Sequence, residues 1–226
     1  MQQQIYQNPG LPVFFGNIGS GNGGLQTYSV YSTSGTYTVG TIVYSAGLYY
    51  VVTLAQSGSG TLAANCTQIN AYNFTPSNTA RGAGWQSAII DRGVGAQPAH
   101  YRWRARTKWG STAPGVGDSV LVFLITSDGT NIDGELGSTN AAISTAANVA
   151  ALQGNCQQFG AIKASSATQQ QELASGDLYI SERFFGVAFF VNTNNSTNAP
   201  IDTDTTAVSD HFIILTPFPD AIQPLA

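Results

Sequence analysis

Two histidines, His100 and His211, are the only imidazoles in this 226-residue chain, so few side chains are available as general bases near neutral pH. His211 follows Ser209 and Asp210, the residue types of a nucleophilic relay. In a strand, neighbouring side chains face opposite ways, so these three cannot form a Ser–His–Asp hydrogen-bond chain on their own. The chain has no G-x-S-x-G elbow, no H-E-x-x-H and no phosphate-binding loop. The run Asp128–Glu135 offers carboxylates and carbonyls on a glycine-containing turn, the donors a hard cation prefers. It lacks the EF-hand spacing, and the sequence predicts a polar hairpin turn there; Asp202 and Asp204 read the same way. The acidic pairs Asp133/Glu135 and Asp202/Asp204 come without the aromatic groove that glycosidases use. The expectation is a protein that is not an enzyme and needs no metal or cofactor.

The sharpest local pattern is Tyr101-Arg102-Trp103-Arg104-Ala105-Arg106-Thr107-Lys108-Trp109. Read as a strand, it puts Tyr101, Trp103, Ala105, Thr107 and Trp109 on one face and Arg102, Arg104, Arg106 and Lys108 on the other. Half of the chain's 8 Lys and Arg residues sit on this one stripe. The net charge of −4 and pI near 4.8 argue against nonspecific nucleic-acid binding as the main role. The stripe is expected to pair with Asp and Glu on neighbouring strands or to meet an acidic protein partner.

The elements that must position these residues follow from composition and charge. Only 9% of residues are charged, against roughly 25% in an ordinary domain. Polarity comes instead from neutral groups, including 20 Ser and 23 Thr. Residues 1–80 contain no Lys, Arg, Asp or Glu. Such a surface discourages contact poorly, so much of this segment is expected to lie against neighbouring protein, including copies of itself. Gly and Pro make up about 15% of the chain, below the ~25–30% of low-complexity disorder. No run approaches the ~18 apolar residues of a membrane helix, and MQQQIYQNPG lacks the basic and apolar regions of a secretory signal.

Cys66 and Cys156 sit in no redox or metal spacing and are expected to be buried free thiols. With no secretory signal expected, the Asn-x-Thr matches at Asn65, Asn73 and Asn195 read as chance occurrences in an Asn- and Thr-rich chain.

Four segments are expected. Residues 1–24 carry Ile5, Tyr6, Leu11, Val13, Phe14 and Phe15 with no period of 2 or 3.6, and read as an extended arm that buries these residues on a neighbour. Residues 25–75 read as a small β-module, with a hairpin of Thr41–Tyr44 and Leu48–Leu54 about a turn at Ser45-Ala46-Gly47. This module resembles those of phage tail proteins and of some chitin- or cellulose-binding domains. Residues 76–84 read as a linker. Residues 85–226 read as an antiparallel sandwich or barrel. Its strands are expected at Trp85–Asp91, His100–Trp109, Ser119–Thr126, Gly160–Lys163, Asp177–Ile180, Phe184–Asn192 and His211–Thr216. Trp103, Val120, Val122, Phe123 or Leu124, Val187 and Ile213 are expected in its core. Ala141–Leu152 reads as a short helix across a sheet edge.

From Trp85 onward the motifs WQSAIID, RWRARTK, GDSVLVFLITSDGT, SERFFGVAFFVNT and HFIILTPFPD follow one another. In that order they resemble a family of tailed-bacteriophage virion structural proteins over about 60% of the chain. The resemblance implies a jelly-roll-like β-sandwich without catalysis, in a virion assembled in the host cytoplasm. It implies a capsid decoration or cement protein whose partners are the major capsid protein and copies of itself. The alternative is a tail or head fibre or tail-tip protein that stacks Tyr28, Tyr31, Tyr49, Tyr50 and Tyr72 on a host-surface glycan. Neither reading involves nucleic acid or membrane.

Overall fold

The computed structural model describes residues 11–16, 30–39, 41–46, 48–76, 79–94, 98–133, 137–164, 171–192, 201 and 211–217. In chain order the elements are β1 (Val13–Gly16), β2 (Thr36–Tyr37), β3 (Ile42–Ser45), β4 (Leu48–Val52), β5 (Gln56–Ser57), α1 (Leu62–Asn65) and β6 (Cys66–Asn73). They continue with β7 (Gly84–Gln86), β8 (Ile90–Asp91), β9 (His100–Lys108), β10 (Ser119–Ser127), β11 (Ala141–Ile143) and α2 (Ala146–Asn155). The last are β12 (Gln157–Lys163), β13 (Gln171–Tyr179), β14 (Phe184–Asn192) and β15 (Phe212–Pro217).

Two sheets pack face to face in an all-β sandwich. One runs β13-β9-β15-β1-β6-β4-β3 and the other β11-β7-β14-β10-β12, with β8 also on β14. The main core lies between them. It takes Trp103 and Ala105 from β9, Ile213 and Leu215 from β15, Val120, Val122 and Leu124 from β10, and Phe185, Val187 and Phe189 from β14. The core residues expected from the strand alternation are all buried.

β10 and β14 are apolar on both faces, as a sheet covered on both sides requires. Their outward Phe123, Ile125, Ala188 and Phe190 pack under α2 through Leu152. The helix therefore lies across a sheet face rather than an edge. It also begins later than its alanine content suggests. Ala141–Ile143 pair with β7 as a strand. Thr145 then caps the helix, its side chain accepting the Asn148 N–H.

The N-terminal arm is the largest correction. Val13–Gly16 forms an interior strand, antiparallel to β15 and parallel to β6. Val13 and Phe15 are buried in this chain's own core, not on a neighbour. The apolar run has no period because both of its faces are covered: Val13 and Phe15 point inward and Phe14 outward. Leu11 is exposed, and Ile5 and Tyr6 lie outside the described residues.

The second segment is likewise not a separate module. The β3–β4 hairpin forms about the expected turn, with Ala46 at φ 49°. It joins the large sheet through β6, which pairs with β4 through Cys66–Ile69 and with β1 through Asn70–Asn73. Residues 30–73 are thus an insertion whose β3, β4 and β6 widen one sheet, while its β2 and β5 pair as a two-stranded sheet of their own. The expected linker is tied in as well: Gly82 N–H bonds to Val191 O, Val191 N–H bonds to Ala83 O, and Gly84 opens β7. Backbone pairing, invisible in a Gly- and Ala-rich stretch, decides its structure.

Candidate interaction face

The outer face of the seven-stranded sheet is built from β9 outward. Tyr101, Trp103, Ala105 and Thr107 turn into the core, while Arg102 and Arg104 are exposed and Arg106 and Lys108 half-buried. The expected two-faced strand is therefore present. β13 places Asp177 opposite Arg102, with Arg102 Nε 3.6 Å from Asp177 Oδ1. Both groups are largely in solvent, where such a pair contributes about 0–1 kcal/mol.

On the other side of β9, β15 sets Phe212 opposite Arg106, Ile214 opposite Arg104 and Thr216 opposite Arg102. The Arg106 guanidinium carbon lies 4.9 Å from the Phe212 ring centre, a cation–π contact. β1 then brings Phe14 beside Ile214 and stacks it on Phe212. Ile69 and Ala71 of β6, Val51 and Tyr49 of β4, and Ile42 of β3 continue the apolar surface. Phe14 and the cationic stripe lie far apart in sequence, and the fold puts them on one face.

Between them is a groove of about 640 Å³. Phe14, Phe212 and Ile214 line its middle, Arg104 and Arg106 one side, and Val39 and Val51 of the insertion the other. Phe212, Ile214, Val39 and Val51 were not singled out by sequence. The usable signal was in Phe212-Ile213-Ile214-Leu215, which is apolar at successive positions and so must carry apolar side chains on both faces.

The other candidates have structural explanations. His211 is fully buried, with Nδ1 3.0 Å from Thr107 Oγ1 and accepting the Lys108 N–H. Ser209 and Asp210 lie outside the described residues, as do Glu135, Asp202 and Asp204. His100 is at the far end of β9 and meets the Tyr179 ring edge-on. The Asp128 carboxylate accepts the Thr130 and Asn131 N–H groups and the Asn131 side-chain amide, and these bonds lower its pKa. It closes the expected hairpin turn, in which Ser127 bridges to Ile132. Among the described residues no three His, Cys, Asp or Glu side chains gather as a metal would need.

Both cysteines are free, but half-buried rather than buried, because each caps the C-terminus of a helix at the rim of a sheet. Burial raises both thiols, and Cys156, with Asp133 nearby, is pushed up to about 11, so at neutral pH it stays protonated and unreactive. Of the tyrosines, Tyr31 stacks on Tyr37 and donates to Gln56 Oε1, and Tyr72 packs against Phe15. Tyr49 packs against Tyr44, and Tyr50 joins the cluster around Tyr37 and Val52. Tyr28 lies outside the described residues. No described helix is long and apolar enough to cross a membrane. Searches of protein-family models, curated proteins and solved structures found no match to this chain.

Proposed function

We propose that this chain is a structural virion protein of a tailed bacteriophage, a decoration or cement subunit that bridges neighbouring shell proteins. Strand order carries the reading. With the insertion and the short strands β8 and β11 set aside, one sheet runs β1-β15-β9-β13 and the other β7-β14-β10-β12. This is the order produced when two antiparallel Greek keys wind into a jelly roll, a fold that viral capsid domains use. β1 supplies the first strand and residues 30–73 are inserted before the second. The fold alone does not name a function, so the reading also leans on the outer face, where an apolar groove, a cationic stripe and an uncharged insertion adjoin. Such a face suits protein docking better than catalysis. The glycan-binding alternative is less favoured, because among the described tyrosines it needs, Tyr31 stacks on Tyr37, Tyr49 packs against Tyr44 and Tyr72 packs against Phe15.

The test is to purify particles from a host culture carrying this coding sequence, identify their proteins by mass spectrometry and image them by cryo-electron microscopy. Density for this sandwich repeated around the shell is the expected result. Absence from particles overturns the proposal, and density confined to a vertex or tail replaces it with the fibre reading.

A further inference from the structure

We propose that the groove beside Arg104 binds an extended segment of a partner protein in which carboxylates alternate with apolar side chains. The inference rests on the protein-docking reading above and names what docks.

Three observations converge. The groove lies half enclosed on the outer face of the sheet, with a volume of about 640 Å³. That volume suits a small ligand or a short extended segment equally, so the lining decides between them. Its middle is apolar, formed by Phe14, Phe212 and Ile214, with Val39 and Val51 opposite the arginines. It can therefore desolvate one row of side chains.

The third observation is spacing. Arg104 and Arg106 are alternate residues of β9, so they repeat along the groove every ~6.6–6.8 Å. An extended segment running beside β9 repeats its same-face side chains at that interval, so an acid-x-acid pair matches the two guanidinium groups. Arginine forks bind carboxylates through charge-assisted, often paired, hydrogen bonds. A polyanion such as nucleic acid needs many cations along its phosphates, and here one of the stripe's arginines, Arg102, already faces Asp177.

The experiment uses the full chain and two short fluorescein-labelled peptides, one alternating Leu with Asp and the other Leu with Asn, read by fluorescence anisotropy. The acidic peptide is expected to bind at least about tenfold more tightly than its amide counterpart. Arg104→Glu, an exposed substitution, is expected to weaken it by about tenfold or more, while Lys163→Glu on the opposite sheet leaves it unchanged. Thermal melting checks that both variants stay folded. Equal binding of the two peptides, or indifference to Arg104→Glu, overturns the proposal. Arg104-dependent binding of decanoate or of a single-stranded oligonucleotide in place of the acidic peptide also overturns it. Particle occupancy separates the two readings. An Arg104→Glu chain retained in full number on particles sinks the groove as the point of attachment. A wild-type chain missing from particles sinks the virion reading and leaves the peptide measurement standing.

Discussion

Phe14 and Phe212 stack with ring centroids 5.8 Å apart and planes 30° from parallel. The first and last described strands therefore share one apolar surface, and that surface faces the groove. Because β1 pairs with β15, these two strands are joined by backbone hydrogen bonds as well as by the rings.

The first prediction follows from that pairing. Deleting residues 1–16 removes an interior strand and the buried Val13 and Phe15, and is expected to abolish cooperative unfolding. The milder Phe15→Ala should cost about 3–5 kcal/mol, as for other large buried rings. Urea denaturation followed by tryptophan fluorescence measures both. A truncated chain that unfolds like the intact one would show that β1 is dispensable.

How much of this was legible in the sequence depended on whether one face of a strand met water. β9 alternates cleanly, and its bounds and faces were readable because Arg102 and Arg104 are solvated while Trp103 and Ala105 are not. β14 was readable from its unbroken apolar run. β1 was not, because three apolar residues in a row carry no period, and only the distant β6 and β15 make them a strand. The groove was hidden for a related reason: its two sides come from residues 39–51 and 104–106, and no local pattern links them. The continuous sheet, and with it the loss of the separate module, rests on the parallel β1–β6 pairing, which sets Val13 opposite the distant Asn70.

A second prediction concerns Trp103 and the small residues around it. β10 and β12 slip register between Val122 and Phe123, leaving Phe159 as an extra residue. The Phe159 ring meets Trp103 edge-on at 5.3 Å. A Cβ added at Gly160 would fall 2.5 Å from Trp103 Cη2, and one at Gly176 would fall 2.8 Å from Nε1. The indole is buried and cannot swing away cheaply. Gly160→Ala is therefore expected to cost about 1–3 kcal/mol, and Trp103→Phe in the same chain should recover part of that loss. A double-mutant cycle by denaturation decides it, and additive effects would show that the two sites do not touch.

A third prediction is a pH dependence. Arg183 donates two hydrogen bonds to the Asp91 carboxylate and the Gly93 N–H adds a third, holding Asp91 down at about 2. A depressed carboxylate pKa stabilises the fold above the ordinary carboxylate range. As the pH falls from about 4 toward about 2, the unfolded chain takes up a proton that the folded chain resists, and this stabilisation is lost. Asp91→Asn should flatten the stability–pH curve in that window and leave its shape near neutrality unchanged. A curve with the same acid slope as the parent would rule out this pair as a contributor.

The last prediction turns on the uncharged insertion. Val30 is 70% exposed and bridges to Tyr44 at the outer edge of the large sheet, while Leu48, 43% exposed, pairs with Ser45 beside it. These exposed apolar side chains mark one corner of the sheet, on its two opposite faces, in a stretch with no charged residue to oppose association. Burying a Val- or Leu-sized side chain is worth roughly 1.5–3 kcal/mol when complete, and every 1.4 kcal/mol changes a dissociation constant about tenfold. The purified chain is therefore expected to self-associate through this corner. Val30→Lys with Leu48→Lys should weaken that association by about tenfold or more while leaving the fold intact, because both side chains already lie largely at the surface. Sedimentation velocity across a concentration series measures the effect. A parent chain that stays monomeric at high concentration, or an association indifferent to the two lysines, would show that this corner does not mediate self-contact.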